Sequence, residues 1–441
     1  MVPSSPTREQ AVATVRDLRG DLLANLDATS VSLDRISGRV LAESVVAERD
    51  VPPVSQATMD GFAVATADEP PLTLRAEPAG PGDTRPAHEP GTAIRVRTGG
   101  PVPDGADVVV VRERATVADG ELRFDADGVT AGQHVLERGS ILAAGETVLE
   151  SGRRLAPRDP AVLRGLGRAE VAVRDRLSTA VLATGTEIHD GTEPDRDSDV
   201  LATLARAWGG DPEFAGSVPD DPERVGNRIA ALAGEHDVVL TTGGTGVAAA
   251  DETAGALADR ADVLVTDTAL RPGSGTTVAW LPERDAAVVA LPGPPGAMLA
   301  SATVLVRPLF VGVAREATVS ATAARDLAVP DRDIEFVVPV EFRGGDNGGD
   351  GGNGSDGGDG SDDGGGSDNG GDGSDRGNGG EPRAVPFGSP DSTVRLYGER
   401  YRPHLVSSCP HLSAAEGFVV TADGFETGDS LSVVPYEVVD S

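Results

Sequence analysis

The chain contains no lysine; all 38 of its basic residues are arginine. That absence excludes Schiff-base chemistry, a lysine general base and a phosphate loop of the GxxxxGK[ST] type. Cysteine is almost as scarce. A lone Cys409 cannot close an intramolecular disulfide, so nothing argues for an oxidising compartment. No apolar run approaches the roughly 20 residues of a membrane span. The opening MVPSSPTREQ lacks the basic and apolar regions of a signal peptide. A soluble, cytoplasmic protein is expected. Several catalytic fingerprints are also missing. There is no GxGxxG after a first strand and no GxSxG elbow, and the six histidines and one cysteine form no metal spacing.

What the chain has in excess is acid. Asp and Glu number 71, and the formal charge is -33. Such a surface rejects nucleic acid and anionic membranes. It suits work in molar salt, where the Debye length falls to about 3 Å and self-repulsion is screened. A halophilic setting is expected. The 441 residues, 39% of them hydrophobic, are enough for real cores. At roughly 100–200 residues per domain they make two to four domains.

One segment stands apart. Residues 344–380 hold 19 Gly, 9 Asp, one Arg and no apolar side chain. Burial cannot offset the entropy of ordering such a stretch, so a disordered insert is expected. Its Asp/Gly pattern lacks the regular repeats that calcium binding would need.

Elsewhere the pattern is regular. In TREQAVATVRDL, Thr7 and Gln10 fit a capping box, and Val12, Val15 and Leu18 share one helical face. From Val51 to about Glu137, short β-type runs such as TAIRVRTGG and ADVVVVRE alternate with Gly/Pro turns. ESGRRLAPRDPAVLRGLG returns to a helical element. Between Leu177 and Phe310, strands alternate with helices. STAVLAT runs into TGTE, DVVLTT into GGTG and AAVVAL into PGPPG. Three uncharged strands, each entering a glycine turn, describe a parallel α/β sheet. SDVLATLARAWGG reads as a helix with Ser198 as N-cap and an apolar face of Val200, Leu201, Leu204 and Trp208. Trp208 and Trp280 are expected in the core. Beyond about Thr318 the chain reads as β, with the Gly/Asp segment interrupting it.

Ligands of open α/β sheets collect beyond the carboxyl ends of the strands. Here that edge would carry Thr184, Gly185 and Glu187, then Thr242 to Gly246, then Pro292 to Gly296. Glycines let backbone N–H groups approach an anion. Gly243, Gly244, Thr245 and Gly246 are therefore candidate binding residues, with Thr184, Gly185, Pro292 and Gly293. Glu187 and Asp251 would stand beside the same site, and carboxylates next to an anion usually mean a bridging Mg²⁺ or proton transfer. Any one such loop is ordinarily a tight turn with a capping acid. Three on one edge argue for a site.

QATMDGFAV, IRVRTGGPVPDGADVVVVRE, LAAGETVLESGRRLAP, AVLATGTEI, DVVLTTGG and ALPGPPGA occur in this order. The chain resembles the molybdopterin molybdenumtransferases, the molybdate insertases of molybdenum cofactor synthesis, related to the C-terminal part of gephyrin. The resemblance covers nearly everything except the Gly/Asp segment. It implies an elongated, four-domain homodimeric subunit of α/β and β domains. The expected divisions are 6–50 with 139–176 as a helical linker domain, 51–138 as a small β-rich domain, 177–315 as the parallel-sheet molybdopterin-binding domain, and 319–441 as a C-terminal β domain. It also implies the chemistry. Adenylylated molybdopterin is cleaved, molybdate is placed on the dithiolene, and AMP leaves. The motifs carry over Asp60 of MDG, Thr98 of RTGG, Glu187 of TGTE, Asp221 of PDDP, and Asp251 as site residues.

The chain departs from the family where lysines are usual. RPGSG stands in place of a KPGKP segment, so Arg271 keeps one cation while Ser274 does not, and Asp267 replaces a further lysine. Pro294 stands for an asparagine, and Ser140 for an acid. Two readings stay open: an active insertase with a rebuilt anion site, or a molybdopterin-binding paralogue acting as carrier or partner.

Overall fold

The computed structural model describes residues 5–79, 87–243, 255, 260–313, 315–331, 333–344 and 381–440. The chain divides into two compact units, Ala28–Val173 and Met1–Asp27 with Arg174–Ser441.

In the first unit a six-stranded sheet runs in the order Val108–Val111, Gly61–Val64, Thr92–Val96, Leu72–Ala79, Glu121–Phe124, Ala115–Ala118. Its core gathers Phe62, Val64, Leu72, Ala93, Val108, Val110 and Leu122. A Cβ on Gly61 would stand 2.2 Å from the Val110 carbonyl oxygen, so only glycine lets these strands pair there. A separate apolar cluster in this unit joins Leu33, Ile36 and Leu41 to Leu149, Leu155, Leu163 and Val173. The helix Asp159–Gly165 lies within it.

The second unit is built on a six-stranded sheet ordered Asp211–Val218, Ser178–Thr184, Val238–Gly243, Ala286–Leu291, Thr277–Leu281, Asp262–Val265. The first four strands are parallel, as expected. Thr277–Leu281 then runs antiparallel to both of its neighbours. The sheet is therefore mixed, because short returns can pair antiparallel without a crossover helix. Alternate residues bury on opposite faces. Val181, Val238, Leu240 and Val289 pack with Val12, Val15 and Leu18 of the first helix and with Leu201, Leu204 and Trp208. Ala180, Leu182, Val239 and Val288 pack against Val225, Ile229 and Leu232 of the helix Pro222–Leu232.

The first helix, Arg8–Asn25, has the expected capping box. Gln10 N–H donates to Thr7 Oγ1, and Thr7 N–H donates to Gln10 Oε1. Its buried face lies on the α/β sheet, which places it with the second unit rather than with residues 28–50. Trp208 is buried and Trp280 half-buried in the same cluster. In the helix Ser198–Ala207, Ser198 is the first helical residue and the N-cap is Asp197. The carboxylate of Asp195 receives the N–H groups of Asp197 and Ser198 at the start of this helix. Val200, expected on the apolar face, is exposed.

The C-terminal strands Glu335–Arg343, Arg383–Pro386, Val319–Ala323, Ser430–Pro435 and Gly417–Thr421 pair in that order, and the last also pairs with the first. The five strands thus close on themselves, which leaves no free edge. Arg343 stands directly opposite Arg383, so the Gly/Asp segment joins two paired antiparallel strands. The expectation that it is disordered concerns residues outside those described.

Candidate functional site

The carboxyl edge of the mixed sheet brings the signature loops together. Thr184 is in register with Gly243 on one side and with Val218 on the other, and Thr242 is in register with Leu291. Thr184 and Gly185, Thr242 and Gly243, and Pro292 and Gly293 therefore leave the sheet side by side. The contact between the first two turns is close. A Cβ on Gly243, whose φ is +119°, would lie 1.8 Å from the Thr184 carbonyl oxygen. Only glycine can occupy that position. The Thr184 hydroxyl donates to the Thr242 carbonyl at 3.4 Å.

Gly185, with φ +136°, turns the chain into a short helix, Thr186–His189. Glu187 is half-buried in this turn, and a Cβ on Gly185 would sit 3.2 Å from its Oε1. No hydrogen bond to its carboxylate occurs among the described residues. The neighbouring acid at this edge is Asp220. Its Oδ2 accepts the Thr186 N–H, and its own N–H donates to the Thr186 hydroxyl. Asp221, the residue expected from PDDP, starts a helix. It is the N-cap of Pro222–Leu232, its carboxylate accepting the Arg224 N–H at 2.9 Å. The signal was in the sequence, because an Asp followed by Pro is the pattern of an N-cap before a proline at the first helical position.

Asp197 was not anticipated as a site residue. It is 9% exposed. Its Oδ2 accepts the Thr242 hydroxyl at 3.3 Å, and its Oδ1 is buried with no hydrogen-bond partner among the described residues. Burial is the main cause that pushes its pKa up, to about 6, against the hydrogen bond from Thr242.

Arg271 lies on a short strand, Leu270–Arg271, paired with Glu335–Phe336. Its guanidinium donates to the carbonyls of Thr268 and Leu270, and it faces the Asp267 carboxylate at 3.8 Å. Ser274 is half-buried in the turn that follows. That turn is fastened to the helix Pro295–Ser301, since Thr276 Oγ1 donates to Ser301 Oγ at 2.8 Å. The same helix meets the C-terminal region. A Cβ on Gly296 would be 2.7 Å from the Ser407 Cα, so the helix Pro403–Ser407 lies directly on the PGPPG turn. Sequence reading gave no hint of that approach, which joins residues 111 positions apart. Asp251, Gly244, Thr245 and Gly246 lie outside the described residues.

In the other unit Asp60 and Thr98 come together. Asp60 Oδ1 accepts both the Thr98 N–H at 2.8 Å and the Thr98 hydroxyl at 2.9 Å. Those two donors, the backbone one first, hold the exposed Asp60 carboxyl below the usual range, with help from Arg112 and Arg97.

A profile described as the MoeA N-terminal region, domains I and II, matches residues 7–167, and one described as a probable molybdopterin binding domain matches residues 180–311. Curated relatives named molybdopterin molybdenumtransferase align as well. The one from a Nostoc species is 29% identical over 301 residues, 64% of this chain and 69% of the relative. The one from Synechococcus elongatus is 27% identical over 67% of this chain and 79% of the relative. The chain is a divergent member of the molybdopterin molybdenumtransferase family. A Staphylococcus aureus member aligns at 29% identity over 58% of this chain and 65% of its own length, a little under two thirds. The fold agrees. A molybdopterin biosynthesis MoeA protein from Pyrococcus horikoshii superposes with a TM-score of 0.64 at 23% identity, covering 98% of this chain and 99% of that one. No described helix is long and apolar enough to cross a membrane.

Proposed function

We propose that the chain is a molybdopterin molybdenumtransferase that takes adenylylated molybdopterin and molybdate as substrates, places the metal on the dithiolene and releases AMP. The observation that carries this reading is the register of the strand ends, which pairs Thr184 with Gly243 and Thr242 with Leu291 in adjacent rows at the sheet edge. Backbone N–H groups leaving that row would cradle the anionic part of the nucleotide. Glu187, whose carboxylate accepts no hydrogen bond among the described residues, would orient water or a phosphate-bound ion. Asp220, tied to Thr186, would fix the loop that carries Glu187.

Among the described residues there is no group of three side chains able to hold a metal ion. One or two carboxylates beside substrate phosphates are the usual setting of Mg²⁺. Glu187 and Asp251 would hold such an ion, and its role would be to neutralise charge on the phosphates.

Asp60 and Thr98 would complete the site in a homodimer, and the division into four domains belongs to the same reading. The high acid content fits a cytoplasm rich in salt. In such a medium charges several ångströms away are screened, so the net charge of -33 does not bar an anionic substrate. The test is AMP release from adenylylated molybdopterin with molybdate in molar KCl. Turnover is expected. Tight binding of the nucleotide without AMP release would instead make the chain a carrier, in line with the Asp267 carboxylate that faces Arg271.

A further inference from the structure

The α/β sheet hides one acid that the proposed chemistry does not use. Asp197 lies nine-tenths buried at the start of the ten-residue helix Ser198–Ala207. One of its oxygens receives a single neutral donor, the Thr242 hydroxyl, and the other receives none among the described residues. The hydroxyl of the adjacent Ser198 is buried without a partner as well. A carboxylate needs several donors to stay ionised out of water, and among the described residues this one has a single neutral donor.

Nor do the described surrounding elements supply compensating charge. The strands Ser178–Thr184 and Val238–Gly243 carry no ionisable side chain. Asp195 stands close by and opposes ionisation, while Arg196 favours it. Asp199 and Asp440 line a cavity on the outer side of the same helix. Asp211 and Glu213 lie on the edge strand Asp211–Val218 that packs on this helix, at the end away from Thr184. The balance around Asp197 is acidic.

Asp197 also has a mechanical connection to the site. Thr242 donates to it, and the Thr242 carbonyl accepts the Thr184 hydroxyl. Asp197, Thr242 and Thr184 thus form one chain of hydrogen bonds under two of the signature turns.

We propose that Asp197 is a positioning residue. Its neutral carboxyl holds Thr242, and with it Gly243, in the position that accepts the anionic end of the nucleotide. Ionised, it sets an uncompensated negative charge next to Thr242 and weakens that binding. Substrate binding and the Asp197 proton are then linked, each favouring the other. This rests on the proposed function for the identity of the nucleotide.

The test is the pH dependence of binding by the full chain. Adenylylated molybdopterin suits it because the charge of its pyrophosphate diester is constant from pH 5 to 8. The wild-type Kd should weaken about tenfold over that range, the effect of a coupling of about one pKa unit. Asp197→Asn should bind with a pH profile flat to within twofold, near the low-pH limit of the wild type. His189 also stands at this edge and is unchanged in Asp197→Asn, so the difference between the two profiles isolates the acid. A flat wild-type profile, or one unchanged by Asp197→Asn or by the smaller Asp197→Ser, overturns the proposal.

A second readout needs neither variant nor nucleotide. The ¹³C carboxyl signal of Asp197 should titrate near pH 6, and saturating sulfate should move the midpoint upward at constant ionic strength. If the nucleotide binds at no pH, the proposed function fails, and this titration alone decides. A midpoint in the ordinary carboxylate range, or one indifferent to sulfate, refutes the linkage.

Discussion

Two Asp–Thr pairs, one in each unit, use the same two residue types, and their carboxyl pKa values move in opposite directions. Asp60 receives a backbone N–H and a hydroxyl from Thr98 while open to water. Asp197 receives one hydroxyl from Thr242 in a dry setting. The first carboxyl is held below its usual range and the second is pushed up to about 6. Donor count and solvent set the charge, not residue type. The first pair suits a permanent anion that shapes or orients, and the second a group that responds to what binds beside it. Both rest on strands brought close by a glycine, Gly61 in one unit and Gly243 in the other.

That shared dependence on glycine gives the largest expected effect. Gly243→Ala puts a methyl 1.8 Å from the Thr184 carbonyl oxygen and asks an L-residue to hold a φ of +119°. The carbonyl belongs to a central strand and cannot retreat. The cost is expected to exceed about 3 kcal/mol, combining overpacking with backbone strain. Denaturant unfolding should show the loss in the α/β unit, and nucleotide turnover should vanish. A stable Gly243→Ala variant would mean that the two turns are not so tightly joined.

Asp60→Asn is next. It keeps the size and one acceptor oxygen for Thr98 but removes the charge. AMP release should fall about 10²-fold, the scale of one lost electrostatic contact in a site, while the melting temperature stays within a few degrees. The sign of the pH effect follows from the lowered pKa. Whatever stability the pair gives is present above the ordinary aspartate value and is lost as pH falls through the lowered folded-state value. Across pH 5–8 Asp60 should contribute no slope, in contrast to Asp197.

Asp220 and Asp221 sharpen the comparison within a single loop. Asp221→Ala removes an N-cap and should cost about 1 kcal/mol of stability with turnover nearly unchanged. Asp220→Ala releases Thr186 from the adjoining turn and should lower turnover about tenfold with little loss of stability. Reversed outcomes would return the site role to Asp221.

These acids also show how far the sequence could be read. The uncharged strands ending in glycine were legible because burial on both faces leaves an apolar run and each turn demands a residue without a side chain. The capping box at Thr7 and Gln10 was legible because it is local. That Asp220 turns to Thr186 while Asp221 caps a helix was not legible, because resemblance finds a motif, whereas the direction of each side chain depends on where the helix begins. The antiparallel strands, the closed C-terminal sheet and the seat of Ser407 on Gly296 depend on long-range pairing, which no local pattern encodes. Asp197 was missed because its meaning lies in what surrounds it.

Stability offers a smaller test of Asp197, independent of substrate. Its folded-state pKa is raised above the unfolded value of 3.8 to about 6. The folded state therefore binds more protons between those values, and stability must fall as pH rises through that window. Asp197→Asn removes the charge and should stabilise the chain at pH 7.5 by an amount on the order of 3 kcal/mol. At pH 4 the difference should be close to zero. Urea unfolding at the two pH values checks it. A variant equally stabilised at both would owe its gain to packing rather than to charge.

The smallest expected effect comes from the largest change. Residues 345–379 can be removed so that Gly344 joins Gly380. Because Arg343 is paired with Arg383, the junction leaves a short hairpin loop of Gly344, Gly380, Glu381 and Pro382 between strands already in register. Four-residue hairpin loops are common. Closing a loop of four residues instead of 39 changes the entropy of closure by about 2 kcal/mol, in favour of the folded state. Removing nine aspartates against one arginine also lowers self-repulsion slightly, an effect molar salt screens. Melting temperature should therefore hold or rise by a few degrees, with AMP release within twofold of the full chain. A lower melting temperature would show that the Gly/Asp segment makes stabilising contacts. Slower AMP release with unchanged melting would show that it acts on the site, and neither Asp–Thr pair would then be the whole of the machinery.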